Sequence, residues 1–426
     1  GAVVVLVDPE MGDKNFHDRI TFSDAKWIVQ DPILEKIERY SFIKPILRKL
    51  NIWFPNISSI DNYHRITILP ISRLKKLTPH TFSEKFIADN EDMSIIFTSG
   101  TTGTPKGVVH SYKSLLSGLS LICSELPIKK SDCFYASQFY FLLIALVVPC
   151  KVFVPKPKKF SPRSFINMVK KNKVTSTFLL PSEGKKHYDY CAFHNEKLPE
   201  FLRTVFFGSA PVTKSFLDRI TSIATPGIEM YGLYGATEML IISVVSAHQK
   251  KSYTAPGDLL GTPLPGVKIS IMKDDEIIIS GPQMYDRYLG DIQKAKWFYS
   301  GDLGTLDING DIVLLGRKKD MIIKDGFNIY PGLFEPVISS IPGVKECALV
   351  GTYNEKTENE TLTLFIVKED KADISTSDLT KYLENGTYSI DRYALPDNIE
   401  FLSELPRFGR SKKVDKNKLK TWQKTY

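Results

Sequence analysis

An α/β fold is predicted by three observations. Short β-branched runs alternate with segments whose apolar residues recur at helical spacing, a Gly- and hydroxyl-rich loop at residues 98–107 lies between a strand-like and a helix-like segment, and from about residue 267 the pattern changes to tight hairpins. With 426 residues, the chain exceeds what one hydrophobic core usually supports, so at least two domains are expected.

The apolar run at residues 3–7 reads as a buried strand, and because the chain opens at Gly1 within it, upstream sequence is expected to be missing. A second strand is predicted at 94–98. The loop after it, TSGTTGTPKG, holds three glycines, five hydroxyl side chains and one lysine in ten residues. Glycines let consecutive N–H groups turn toward one anion, the hydroxyls of Thr98, Ser99, Thr101, Thr102 and Thr104 add donors, and Lys106 adds positive charge. The spacing is not that of a Walker loop, since Pro105 precedes Lys106 and Gly107 follows it. A helix follows, with Leu115, Leu119 and Ile122 on one face. The apolar run at 139–150 is far shorter than the ~20 residues a membrane span needs, and it reads as core or pocket lining.

Further strands are predicted at 151–154, 174–179 and 202–207, with a helix carrying Phe216, Ile220 and Ile223. VKISIM and EIIIS flank residues 273–275 as a hairpin, and LDI and DIVLL flank Asn309-Gly310 as another. A two-residue turn pairs positions equidistant from it, which sets Asp302 opposite Arg317 at about 5.5 Å between Cβ atoms. Near the C-terminus, VKECALVG and TLTLFIV indicate a small α+β unit.

Composition narrows the function. The net charge of +8 comes from scattered lysines such as Lys156, Lys158 and Lys159 without aromatic interleaving, which implies attraction to anionic substrates or peripheral contact with a membrane surface rather than nucleic-acid binding. Five cysteines form no CxxC pair, so neither a disulfide framework nor a zinc site is indicated, and a cytoplasmic compartment is expected. The seven histidines show no ligand spacing.

TSGTTGTPKG, GSAP at 208–211, YGATE at 234–238, SGDLG from Ser300 and GRKKDMIIKDGFNIYP from Gly316 together resemble the AMP-forming acyl-CoA ligase family. The final block looks closest to bacterial long-chain fatty-acid–CoA ligases. The resemblance implies a large N-terminal adenylation domain of layered sheets and helices at 1–318, N-terminally incomplete, and a mobile C-terminal α+β lid at 319–426, with a hinge at Lys319 and Asp320. It implies ATP, Mg2+ and coenzyme A as cofactors and co-substrate, and a medium- or long-chain fatty acid as the acid to be activated.

The same resemblance assigns roles. Thr98, Ser99, Gly100, Thr101, Thr102, Gly103 and Lys106 would contact the β- and γ-phosphates, and Gly208, Ser209 and Ala210 would line the adenine. Tyr234 would pack on the purine, Thr237 would bond the α-phosphate and Glu238 would help hold magnesium. Asp302 would accept from the ribose hydroxyls, with Arg317 beside it. The catalytic lysine is sought in LPRFGRSKKVDKNKL, where the family's usual glycine before it is absent: counting back from VDKNKL selects Lys413, counting forward from Pro406 selects Lys412, and Lys413 is preferred. Alternatives are a β-lactone-forming acyl-adenylate synthetase, a non-catalytic ATP- or acyl-binding homologue, and a phosphate-loop kinase or GTPase.

Overall fold

The structure is a computed structural model describing residues 2–7, 13–30, 32, 37, 63–67, 88–97, 106–135, 139–154, 160–354, 357–408 and 413–422. The chain packs as two compact units, residues 1–117 with 283–296 and residues 118–282 with 297–426.

The first unit is organised on a four-stranded sheet ordered Val4–Leu6, Asp92–Phe97, Gly107–Ser111, Arg287–Tyr288. Val4–Leu6 lies on its edge, parallel to Asp92–Phe97, and Val3 and Val4 are exposed, so the expected buried opening strand is only half covered. Asp92–Phe97 pairs antiparallel with Gly107–Ser111, in the register Ile96↔Val108. The Gly-rich loop therefore joins two strands, not a strand to a helix as its sequence suggests. Gly107 permits this close pairing, because a Cβ there would lie 3.1 Å from both Ile95 Cγ2 and Leu289 Cβ. The predicted helix exists as Tyr112–Glu125, directly after the second strand, and Leu115, Leu119 and Ile122 are all buried.

The second unit carries an eleven-stranded sheet. Its parallel part runs Lys151–Phe153, Cys133–Tyr135, Ser176–Leu179, Thr204–Phe207, Glu229–Ala236. Helices Pro162–Asn172, Pro181–His194 and Lys214–Ser222 occupy the crossovers that parallel strands require. Ser161 and Thr213 cap the first and third of these by accepting the Ser164 and Phe216 N–H groups. Phe165, Ile166, Val169, Leu217 and Ile220 fill the core beneath them with Phe207 and Val205 of the sheet. The antiparallel part continues through Leu240–Ser246, Asp258–Pro263, Ile312–Arg317, Phe298–Leu306 and Glu276–Ser280 to Lys268–Ile271.

Beyond Arg317 the chain builds its own small sheet, Val344–Asn354, Asn359–Lys368 and Asn398–Leu402. Alternation in its middle strand covers both faces. Leu362, Leu364 and Ile366 join a core with Ile338, Leu379 and Leu383, whereas Phe365 and Val367 join Ala348, Leu405 and Leu419. This is the small α+β unit read from TLTLFIV. Helix Pro331–Ile338 meets the preceding sheet at Gly332, where a Cβ would lie 2.7 Å from the Leu315 carbonyl oxygen.

Candidate active site

Residues 208–210 and 234–238 lie at the carboxyl ends of two neighbouring parallel strands, where open α/β sheets bind ligands, and Asp302 is joined to them through Tyr234. Strand Thr204–Phe207 ends at Gly208, and its neighbour Glu229–Ala236 pairs with it as Gly232↔Phe207. A Cβ on Gly208 would lie 3.1 Å from the Leu233 carbonyl oxygen and 3.2 Å from the Phe178 ring, so a side chain there would crowd the neighbouring strand. Ser209 follows in the left-handed region (φ 63°), exposed, with Ala210 half-buried.

The YGATE segment forms a compressed turn between Glu229–Ala236 and Leu240–Ser246. Its register shifts between Tyr234 and Gly235, and a Cβ on Gly235 would stand 1.9 Å from the Leu240 carbonyl oxygen. Only glycine fits. Thr237 and Glu238 sit half-buried in this turn. Of the run at 139–150, Phe141 and Ile144 are core, with Phe141 stacked on Phe134 and Phe178 at 5.5 and 4.6 Å between centroids. Tyr140, on the same short helix Phe139–Leu142, lies close enough to Glu238 that burial and then that carboxylate raise its phenol above its ordinary range.

The Asp302–Arg317 pairing is present. The two residues oppose each other across antiparallel strands, and Arg317 Nε lies 2.7 Å from Asp302 Oδ1. The Tyr234 hydroxyl donates to Asp302 Oδ2 at 2.7 Å, and Arg317 donates to the Ser300 carbonyl at 3.2 Å. Asp302 is almost fully buried. Burial pushes its carboxyl up, opposed by Arg317, by the Tyr234 hydrogen bond and by Lys413, while burial and then Asp302 push the Tyr234 phenol well up.

Lys413 begins the strand Lys413–Val414, which pairs with Arg407–Phe408 as Phe408↔Lys413. It keeps an exposed surface yet is crowded by protein: desolvation first, and then Arg317, lower its ammonium below the usual lysine range, with Asp302 acting in the opposite sense. Lys412 lies outside the described residues, as do Thr98, Ser99, Gly100, Thr101, Thr102 and Gly103. Lys106, in the first unit, is exposed, its Nζ 5.4 Å from the Tyr288 ring centroid.

Two residues escaped the sequence reading. Glu276, buried at the head of an otherwise apolar strand, accepts from the Gly301 N–H at 3.1 Å, and Lys318 reaches Glu276 and Asp274 at 2.8 and 2.7 Å. The one signal was a carboxylate opening the buried run EIIIS. Among the described residues no group of three or more His, Cys, Asp or Glu could hold a metal ion, all five cysteines are free, and no helix is long and apolar enough to cross a membrane.

The sequence profile of the AMP-binding enzyme family matches residues 1–289, and that of the AMP-binding enzyme C-terminal domain matches 334–413. The chain belongs to the AMP-binding enzyme family. Among curated relatives of this chain, the 2-succinylbenzoate–CoA ligase of Bacillus cereus (strain AH820) is 30% identical over 362 residues, covering 78% of this chain and 70% of the relative. Among solved structures, ATP-bound MatB from Rhodopseudomonas palustris superposes with a TM-score of 0.80 at 21% identity, covering 99% of this chain and 84% of the other. O-succinylbenzoate coenzyme A synthetase (MenE) from Bacillus subtilis, in complex with ATP and a magnesium ion, gives 0.75 at 21% identity, covering 98% and 84%. The fold of a large N-terminal and a small C-terminal part, mixed α/β, is thus the adenylating-enzyme fold expected. The subfamily expectation is corrected: the curated relative is named for 2-succinylbenzoate, not for a fatty acid.

Proposed function

We propose that this chain is an AMP-forming acid–thiol ligase. A carboxylate oxygen attacks the α-phosphorus of ATP, pyrophosphate leaves, and the thiol of coenzyme A then attacks the acyl-adenylate and releases AMP. The observation that carries this reading is the convergence of Tyr234, Asp302, Arg317 and Lys413 in a chain of this family.

In this reading Gly208, Ser209 and Ala210 receive the adenine, Tyr234 flanks the purine, and Asp302 accepts from the ribose hydroxyls. Arg317 sits between ribose and phosphate. Thr237 donates to the α-phosphate, the 98–103 loop and Lys106 meet the outer phosphates, and Lys413 stabilises charge growing on the α-phosphate as the bond to pyrophosphate breaks. The half-buried Glu238 fits magnesium, which prefers one or two carboxylates together with phosphate oxygens and water to an all-protein cage. The ion supplies neutralisation of phosphate charge. The domain boundary is read at Lys318, with 319–426 as the moving lid, because that segment has cores of its own.

The acid is read as an aromatic acid of the 2-succinylbenzoate type, supported by the name of the 30% identical relative. Fatty acids have no such support. The test is incubation with α-labelled ATP, 2-succinylbenzoate and fatty acids of graded length, with and without coenzyme A. Labelled AMP with coenzyme A and 2-succinylbenzoate is expected. No AMP with any acid overturns the activity, turnover of fatty acids alone overturns the substrate reading, and full turnover without coenzyme A overturns the acceptor.

A further inference from the structure

The carboxylate of Asp302 is aimed at Tyr234 by an irregularity in its own strand. Ile278 pairs with Tyr299, but Glu276 pairs with Leu303, so the single residue Ile277 faces the three residues Ser300, Gly301 and Asp302. Such bulges bend a strand and re-aim a side chain, and they need fixing because the extra residues lose ladder partners. Gly301 adopts φ 67° at the crest. Two side chains supply the missing partners. Ser300 Oγ donates to the Ile277 carbonyl at 2.6 Å and accepts the Asp302 N–H at 3.0 Å, while Glu276 Oε1 accepts the Gly301 N–H at 3.1 Å.

The second oxygen of Glu276 is committed elsewhere, 2.8 Å from Lys318 Nζ. Lys318 directly follows Arg317, the partner of Asp302, and opens the 3-10 turn Lys318–Asp320 at the boundary read above. One carboxylate, 8% exposed, thus grips the backbone under Asp302 and the side chain next to Arg317. Asp274, at the hairpin tip, adds a second contact to Lys318 at 2.7 Å.

We propose that Glu276 is a positioning residue for nucleotide binding, holding the Asp302 bulge with one oxygen and tethering Lys318 with the other. The inference rests on the function proposed above, and its two halves separate by mutation. Glu276→Gln keeps an amide oxygen for the Gly301 N–H but gives up the ion pair. Lys318→Met gives up only the ion pair. Glu276→Ala gives up both.

AMP binding by calorimetry to the whole protein, and tryptic cleavage after Lys319, a site that all three variants keep, without any ligand, read the two halves. Glu276→Ala is expected to weaken AMP binding about tenfold, the scale for leaving one buried N–H without its acceptor, and to raise the KM for ATP by the same factor with kcat changed far less. Glu276→Gln is expected to recover most of that loss yet to be cut by trypsin several-fold faster than the parent, as is Lys318→Met, whose own AMP affinity stays near the parent's. Since Glu276→Gln preserves the bulge, misfolding of the alanine variant cannot imitate this pattern. AMP affinity in Glu276→Ala equal to the parent's, or unchanged cleavage in both Glu276→Gln and Lys318→Met, overturns the proposal. A parent protein that binds no AMP overturns the ligase reading instead, and with it the positioning role, while cleavage still reports on the tether.

Discussion

The Tyr234 hydroxyl reaches across from a parallel-sheet strand to hold Asp302 at 2.7 Å, joining the two halves of the large sheet through a part-buried hydrogen bond. Asp302 is held from the other side by Arg317 at 2.7 Å. Removing the phenol oxygen should therefore leave the carboxylate with one fewer donor. Tyr234→Phe is expected to lower stability by about 2 kcal/mol, the scale of a hydrogen bond to a charged group, and to weaken AMP binding. Urea unfolding and calorimetry on the same variant check both.

Lys413 is the described lysine beside that pair, and its replacement should separate the two half-reactions. Lys413→Ala is expected to slow acid-dependent pyrophosphate exchange by about a hundredfold or more, as loss of a charge-stabilising group does, with thioester formation from supplied acyl-adenylate largely kept. Lys412→Ala should leave exchange near the parent rate. The reverse assignment in this comparison would move the catalytic role to Lys412.

Desolvation and Arg317 lower the Lys413 ammonium, so it loses its proton at lower pH than an ordinary lysine. If the cation is the active form, adenylation should decline on the alkaline side before pH reaches the usual lysine value. Lys413→Arg, which cannot deprotonate in this range, should keep whatever rate it has flat through that region. A pH profile of pyrophosphate exchange measures this.

Buried His187 packs against Phe160 and Phe165 at 5.1 and 4.6 Å between centroids, with no hydrogen-bond partner for either ring nitrogen among the described residues, and burial pushes it down to about 3. The unfolded chain, with an ordinary value near ~6.5, binds a proton that the folded state refuses. This contribution to stability is complete above about pH 6.5 and is lost as pH falls toward 3, at up to ~1.4 kcal/mol per pH unit. His187→Leu should flatten that part of the acid limb in denaturant melts at pH 4 to 7.

The YGATE turn should tolerate no side chain at Gly235. Gly235→Ala drives a methyl into the Leu240 carbonyl, and a loss of about 3 kcal/mol or more, with abolished AMP binding, is expected because the turn carrying Thr237 and Glu238 must open. Thermal melting and calorimetry would show it.

What was legible in the sequence was mostly periodic or local. Leu115, Leu119 and Ile122 gave their helix because burial follows the 3.6-residue repeat. The strand Gly107–Ser111 was not seen, because five residues between a loop and a helix carry too little alternation. Asp302 did meet Arg317, though not by the simple turn. The connection from Asp307 to Asp311 pairs Leu306 with Ile312, one position off, and a shift between Leu303 and Gly304 restores the register. Glu276 stayed hidden because its partners, Gly301 and Lys318, are 25 and 42 residues away. The acid was not legible, since an apolar run such as 139–150 splits between core residues and Tyr140, which composition alone does not separate.

Gly332 abuts the Leu315 carbonyl with no room for a methyl. Any swing of the C-terminal segment must slide or part this seam of bare backbone, and an alanine introduced there would act as a wedge, biasing the joint ajar without touching a single group that meets the nucleotide.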